Sequence, residues 1–160
     1  MTKPLDGVKG IDLSNMLMAP YATQILGDMG ADIIKVEPPI GDPIRGIGPY
    51  RNPGMGAIFM NINRSKRSIV LDLKKPEGHA AILELLKDAD ILIYNRRPQV
   101  MDRLDLSYEK LSKINPRLIY AGLYGYGEDG PYAGKPAFDD LIQGAVAIPA
   151  LGQMANGLDP

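Results

Sequence analysis

The chain has 160 residues, of which 45% are hydrophobic and 23% are charged, and its formal net charge is −1. This size and composition are typical of one globular domain with its own core. The small net charge provides no field that would attract nucleic acid or an anionic membrane. The sequence has no cysteine, one histidine, no apolar run near the roughly 20 residues of a membrane span, and no signal-peptide core in MTKPLDG. We therefore expect a cytoplasmic protein without disulfides, a membrane anchor or a metal site.

Residues 8–37 carry the pattern of a strand, a helix and a second strand. β-Favouring apolar residues precede Ser14, and helical spacing follows over residues 19–29 until Gly30, which tolerates the positive φ of a helix end. Residues 33–36 form a nearly continuous apolar run, as in a strand buried on both faces. Because open parallel sheets bind ligands at the carboxyl ends of their strands, the turn after Ser14 is the first candidate contact.

The middle of the chain begins with a segment rich in proline and glycine, residues 38–57, which predicts a long irregular loop. Loops of this length are usually functional or disordered, and a surface lid without chemistry is the alternative. A short apolar segment and the basic NRSKRS precede residues 69–73, which predict a strand. NRSKRS stands at the amino end of that strand, so it need not share the edge where the strands end. Pro76 and Glu77 fit the first turn of the following helix.

The remaining segments continue the alternation of strands and helices. Residues 90–94 predict a strand, 100–104 a short helix, and 107–115 a helix capped by Ser107. Residues 118–123 predict another strand, which leads through turn material to a last helix over residues 139–151. This order predicts an α/β fold with a parallel sheet and helices on both faces.

Four strand ends carry polar or basic residues that a parallel sheet would bring to one edge. They are Ser14 with Asn15, Lys74 with Lys75, Asn95 to Arg97, and residues 126–135. Cations beside helix starts and backbone N–H groups suit phosphates, so an extended ligand with several phosphates would match. Simple solvation is the alternative for any single cation, but we favour a functional role for Asn95, Arg96 and Arg97.

Other familiar motifs are absent from the sequence. No G-x-G-x-x-G follows the first strand, and the glycines at 122–130 precede Pro131 instead of opening a helix. His79 is predicted to be an exposed helix residue. Carboxylates are the only plausible acid, base or nucleophile; Asp139 and Asp140 follow the last loop, with helix capping the favoured role for Asp139.

Three blocks of sequence together resemble a known family. They are IDLSNMLMAPYATQILGDMGADIIKVEPP followed by GDPIR, then NINRSKRSIVLDLKKPEG, then YNRRPQVMDRLDLSYEKLSKINPRLIYAGLYGYGEDGPYAGKPAFDDLIQ. In this order and spacing they resemble the family III CoA-transferases, which include formyl-CoA transferase, carnitine CoA-transferase and α-methylacyl-CoA racemase. The resemblance covers almost the whole chain.

The resemblance implies that residues 1–160 are the amino-terminal part of a Rossmann-like, CoA-binding large domain. The small domain and the carboxyl-terminal return of that family are absent from this chain, and the full-length enzymes are interlocked homodimers. Acyl-CoA and a carboxylic acid would be the substrates, with no permanently bound cofactor. The CoA contacts carried across are Leu17, Met18, Leu71, Asp72, Leu73, Lys74, Asn95, Arg96, Arg97, Arg103, Lys135, Phe138 and Asp139.

The family's transferases use an aspartate nucleophile, which forms an acyl-aspartyl anhydride and then an enzyme–CoA thioester. The resemblance places that aspartate in a segment beyond Pro160. Asp159 comes too early to be the nucleophile, and Asp139 is at most a supporting residue. This chain alone is therefore expected to bind CoA without catalysing transfer.

The sequence departs from the family pattern at several positions. Ala19 stands where a glycine is common, and Tyr94 and Arg96 replace the outer residues of the usual E-N-F block. Phe138 stands where the racemase carries a catalytic histidine, which makes racemisation the weaker reading because it needs an acid and a base on opposite faces. A racemase-like or carnitine-type enzyme and a non-catalytic CoA-binding fragment remain alternatives; a nicotinamide-dependent oxidoreductase fits the fold class but lacks the fingerprint. Alanine at Arg96 and Arg97 is expected to weaken CoA binding.

Overall fold

The computed structural model describes residues 2–157 and contains a sheet of five parallel strands. The strands are β1 (Lys9–Leu13), β2 (Asp32–Glu37), β3 (Lys66–Val70), β4 (Ile91–Tyr94) and β5 (Ile119–Gly122). Their order across the sheet is β3-β2-β1-β4-β5. The chain thus moves outward in one direction from β1 and then returns past it, so the order reverses between β1 and β4. Such a reversal is where open α/β sheets leave a ligand crevice.

Helices connect the strands in the pattern of a Rossmann-like fold. They are α1 (Met18–Asp28), α2 (Ala57–Ile62), α3 (Pro76–Lys87), α4 (Pro98–Arg103), α5 (Tyr108–Ile114), α6 (Asp139–Ala145) and α7 (Ile148–Asn156), with a 3₁₀ turn at Pro43–Gly46. Because crossovers between parallel strands are right-handed, α1 and α2 cover one face of the sheet, and α3, α4 and α5 cover the other. The predicted α/β fold with helices on both faces is confirmed.

The chain divides into two compact units, one ending at Leu123 and one beginning at Tyr124. The first unit contains the whole sheet and α1–α5. The second contains α6 and α7, which replace the single helix predicted over residues 139–151. Ala147, with φ 59°, precedes α7 and breaks the helical path, so one helix could not continue through this position. The predictions concerning Asp159 and Pro160 lie outside the described residues.

The third strand differs from its prediction. β3 runs from Lys66 to Val70, so the end of NRSKRS lies within the strand, and residues 71–73 form the turn that follows. The prediction was wrong because it followed the apolar residues alone. Two polar residues of β3 have partners within the sheet that make strand positions favourable for them: Lys66 pairs with Asp12 of β1, and Ser68 donates to Glu37 of β2.

The two faces of the sheet differ in chemistry. One face is apolar at its centre, where Leu13 and Leu92 stand, and Ile82, Leu86 and Met101 of the helices on that side are likewise at most 1% exposed. The other face carries charges although it is equally buried. Its register sets Asp12 beside Lys35 and Lys35 beside Ser68. These buried charges require partners, since an unpaired ion in an interior is strongly unfavourable.

Three ion pairs provide those partners, and we refer to them together as the buried ion-pair network. Lys66 Nζ lies 2.9 Å from Asp12 Oδ2, and Lys35 Nζ lies 2.9 Å from Asp42 Oδ2, with all four side chains at most 1% exposed. The third pair joins Arg45 to Glu37 at 2.6 Å. Asp42 and Arg45 belong to the predicted loop 38–57, so the network anchors that loop to the sheet.

Three smaller predictions also need correction or completion. His79 is half-buried instead of exposed, and its Nε2 has no hydrogen-bond partner among the described residues. Ser107 stands at the start of α5, but its side chain makes no capping hydrogen bond. The apolar segment at residues 58–63 forms most of α2, whose Phe59 and Ile62 pack with Ile44 in a small separate core.

The carboxylate of Glu37 should make the stability of the fold depend on pH in the acid range. Burial raises its pKa, but hydrogen bonds from Arg45, Ser68 and the backbone of Asp42 outweigh burial and lower the pKa from 4.5 to about 2. A depressed folded-state pKa stabilises the fold above the unfolded value, and this stabilisation is lost as the pH falls toward about 2. The advantage of the wild type over Glu37→Gln should therefore shrink by on the order of 2 kcal/mol between pH 6 and pH 3, measured by urea unfolding. Glu84→Gln, on the surface of α3, is the control, and parallel curves for wild type and Glu37→Gln would contradict the assignment.

Gly78 in α3 is tightly packed against the turn after β3. A Cβ there would lie 2.2 Å from the carbonyl oxygen of Asp72 and 2.7 Å from its carbonyl carbon, so backbone would have to move. We expect Gly78→Ala to lower the free energy of unfolding by about 1–3 kcal/mol, the usual cost of overpacking. Gly152→Ala in α7 meets nothing within 4 Å and should leave stability unchanged or slightly raised. Equal effects of the two substitutions in urea unfolding would show that the close packing at Gly78 is unimportant.

Candidate functional site

The turn after β1 is held from several sides by the sheet edge. The backbone N–H of Ser14 donates to Asp12 at 3.0 Å, and Lys35 Nζ donates to the carbonyl of Ser14 at 2.9 Å. The N–H of Met16, a residue with φ 66°, donates to Asp42 at 3.2 Å. The buried ion-pair network thereby fixes the turn predicted to contact the ligand, and its next residues, Leu17 and Met18, are 52% and 55% exposed at the start of α1.

Asn95 links this turn to the end of β4. Its Nδ2 donates to the carbonyl of Asn15 at 2.8 Å, and its Oδ1 accepts from the N–H of Asn15 at 3.1 Å. The two bonds join the two turns at the point where the strand order reverses. Asn95 was predicted as a CoA contact; the structure gives its amide a positioning role for the turn, and direct contact with CoA stays a prediction.

A groove opens at the carboxyl edge of the sheet beside these turns. Its inner part, a small depression of about 80 Å³, is lined mostly by apolar side chains, together with three charged residues of the sheet edge and one cation of the β4 turn. The lining residues are Leu13, Val36, Glu37, Pro38, Pro39, Leu71, Asp72, Leu73, Lys74, Arg96 and Leu104. The whole predicted segment from Leu71 to Lys74 forms one wall, and Arg96 joins it there.

The outer part of the groove is basic. It shares Leu73, Lys74 and Leu104 with the inner part and continues past the residues Lys75, Pro76, His79, Arg103 and Asp105. No ion pair is found in residues 2–157 for Lys74, Lys75 or Arg103, whereas Asp105 is already paired with Lys110. The outer groove therefore presents cations that remain available to an anion.

Arg96 is the more enclosed of the two cations that line the inner groove, since Lys74 is exposed. It is half-buried, and its Nε is enclosed without a hydrogen-bond partner among the described residues. Burial lowers the pKa of Arg96, and the nearby carboxylate of Asp42 offsets only part of this effect. The two carboxylates that line the inner groove are engaged elsewhere, since Glu37 binds Arg45 and Asp72 accepts from the N–H of Lys74.

The remaining predicted residues lie in different places. Arg97 is exposed at the start of α4. Three others belong to the second unit, where Lys135 Nζ stacks 4.3 Å from the ring centre of Tyr132 and Phe138 is 68% exposed at the start of α6. Asp139 does not cap α6, because Phe138 occupies the cap position, and its carboxylate accepts from Gln143 at 2.7 Å. It stays a prediction that the ligand is bound by Lys135, Phe138 and Asp139.

Sequence reasoning missed several lining residues of the groove. Pro38 and Pro39 follow β2, Leu104 follows α4, and His79 lies one turn into α3. The strand-end rule could have found the two prolines, since they stand at the carboxyl end of β2. Nothing in the sequence around His79 indicated a binding role, because Arg103, which lines the same groove, lies on a helix far along the chain.

The arrangement suits binding more than chemistry. A mostly apolar inner groove that contains Lys74 and Arg96, continuous with a basic outer groove, fits a long ligand that is partly apolar and carries anionic groups. No group of three histidine, aspartate or glutamate side chains within residues 2–157 could hold a metal ion. Among the helices of the same residues, none has both the length and the apolar composition needed to cross a membrane.

Comparison with known proteins agrees with this geometry. The chain is 49% identical over 155 residues to the acetyl-CoA:oxalate CoA-transferase of Acetobacter aceti, and 43% identical over 148 residues to the succinate–glutarate CoA-transferase of Agrobacterium fabrum. These alignments cover 96% and 88% of this chain but only 39% and 37% of the relatives. The chain thus spans about two fifths of the length of these curated relatives.

A solved structure gives the same result for the fold. The crystal structure of a CAIB/BAIF family protein from Brucella suis superposes with a TM-score of 0.88 at 41% identity, over 93% of this chain and 40% of that protein. The sequence profile of CoA-transferase family III matches residues 5–157. With the three sequence blocks, the parallel sheet and the strand-end groove in agreement, this chain belongs to CoA-transferase family III.

Proposed function

We propose that this chain is the CoA-binding part of an acyl-CoA transferase that moves CoA between carboxylic acids. The observation that carries the proposal is the strand-end groove, whose walls contain the predicted contacts Leu71–Lys74, Arg96 and Arg103. Membership of the family and the transferase names of similar proteins support the reaction class. Residues 1–160 would then be the amino-terminal part of the large domain of an interlocked homodimer.

CoA suits the groove because of the way its chemistry is distributed. Its pantetheine arm is long and only weakly polar, which matches the apolar inner walls, and its phosphates match the free cations Lys74, Lys75 and Arg103. Leu17 and Met18, exposed beside the first turn, would meet the acyl end of the ligand. CoA enters as a substrate, not as a resident cofactor.

The chemical step would use an aspartate supplied by a segment beyond residue 160. Its carboxylate attacks the thioester carbonyl, the C–S bond breaks, and an acyl-aspartyl anhydride and CoA thiolate result. The thiolate then attacks the aspartyl carbonyl, releases the first carboxylate and leaves an enzyme–CoA thioester. The acceptor carboxylate reverses the two steps and regenerates the aspartate. The groove would keep CoA in place throughout.

Substitution of the groove cations tests the binding site. Lys74→Ala and Arg103→Ala should each weaken CoA binding about tenfold, because each removes a charge-assisted hydrogen bond to a phosphate. Lys113→Ala, which replaces an exposed cation of α5 outside the groove, should leave the affinity for CoA unchanged. Calorimetric titration measures these affinities, and a parallel titration with NAD distinguishes this proposal from a nicotinamide-dependent enzyme. Unchanged CoA affinity in both groove variants would remove the groove from the proposal.

Exchange of label tests the reaction itself. The reading frame beyond Pro160 and the intact mass of the protein from its source give the length of the natural protein. In that protein, isotope from a free carboxylic acid should enter acyl-CoA. Hydroxylamine should trap an aspartyl thioester, and a peptide map can locate the modified aspartate. A chain ending at Pro160 should bind CoA and exchange no label. Exchange by the 160-residue chain would contradict a nucleophile outside it.

A further inference from the structure

We propose that Arg96 binds one oxyanion of the bound substrate, either a phosphate of CoA or a carboxylate of the acyl group, and thereby determines specificity. This inference rests on the proposed CoA site and names a chemical group for one position within it. The walls of the inner groove are mostly apolar and its two carboxylates are engaged elsewhere, so an oxyanion contact at Arg96 would select among substrates.

The first support is the balance of charge beneath the groove. Each ion pair of the buried network joins one cation to one carboxylate, which leaves the network neutral. Arg96 is the additional cation at its rim. The nearby carboxylate of Asp42 is already shared with Lys35, and those of Glu37 and Asp72 are engaged by Arg45 and by the backbone of Lys74. An anionic ligand would supply the missing negative charge.

The second support is the unpaired Nε of the Arg96 guanidinium. Arg96 Nε is buried with no hydrogen-bond partner among residues 2–157, and buried donors are normally paired. A guanidinium is a planar fork of donors that matches the two oxygens of a carboxylate or a phosphate. Asp72, in the same groove, is turned to the backbone of Lys74 and forms no ion pair with Arg96.

The test compares Arg96→Gln, Arg96→Phe and Arg96→Lys with the wild type by calorimetric titration. The probes are CoA, pantetheine (which has no phosphate), acetyl-CoA and succinyl-CoA (whose acyl group ends in a carboxylate). If a phosphate binds Arg96, the Gln and Phe variants should lose at least tenfold in CoA affinity and keep pantetheine affinity. If a carboxylate binds Arg96, the affinity of the Gln and Phe variants for succinyl-CoA should fall by that factor, while their affinities for CoA and acetyl-CoA should not. In either case Arg96→Lys should retain more affinity than Arg96→Gln, because it keeps the charge.

Three results would overturn the inference. The Gln variant could bind every probe like the wild type, or it could lose CoA and pantetheine equally, which would indicate a change of shape and not of charge. The Lys variant could bind no better than the Gln variant. A wild type that binds none of the four probes would overturn the proposed function as well. Arg96→Lys, with its similar stem, keeps the test valid if the Gln or Phe variant fails to fold.

Discussion

Three ion pairs on and beside the charged face of the sheet are the interaction on which the rest of this structure depends. Lys66 with Asp12 and Lys35 with Asp42 are almost wholly removed from water. Removing one partner of such a pair typically costs about 3–5 kcal/mol, because the other charge is left buried alone. The pairs connect segments that are distant in sequence: three strands, the turn after β1 and the loop after β2. They therefore define how these segments meet at the sheet edge.

The geometry of the candidate site follows from this constraint. Lys35 and Asp42 hold the backbone of the turn after β1, and Asn95 holds the same turn from the side of β4. On the far side of the edge, the close approach of Gly78 to Asp72 sets the wall formed by Leu71–Lys74. The groove is thus formed by backbone segments with fixed positions, and its exposed cations stand on a rigid frame.

Sequence reasoning predicted the parts of this protein that depend on local pattern. The first βαβ unit was predictable because its apolar spacing matches strand and helix periods, and Gly30 marks the helix end with φ 110°. β3 was misplaced by several residues because Lys66 finds its carboxylate 54 residues away, on a strand that only the fold brings near. The same holds for the site: Leu71–Lys74 and Arg96 were found from strand ends and family resemblance. His79 and the positioning role of Asn95 required coordinates.

The placement of β3 has a consequence for the edge of the sheet. As the outermost strand in the order β3-β2-β1-β4-β5, it pairs on one side only within the described residues, and an unpaired strand edge is a template for adding another chain. Arg67 of β3 is paired with Asp32 of β2 at 2.6 Å, and both side chains are more than half exposed. A second strand added at this edge would have to desolvate these charges, which opposes edge-to-edge pairing. Lys66, the first residue of the same strand, instead turns inward and pairs with Asp12 in the core.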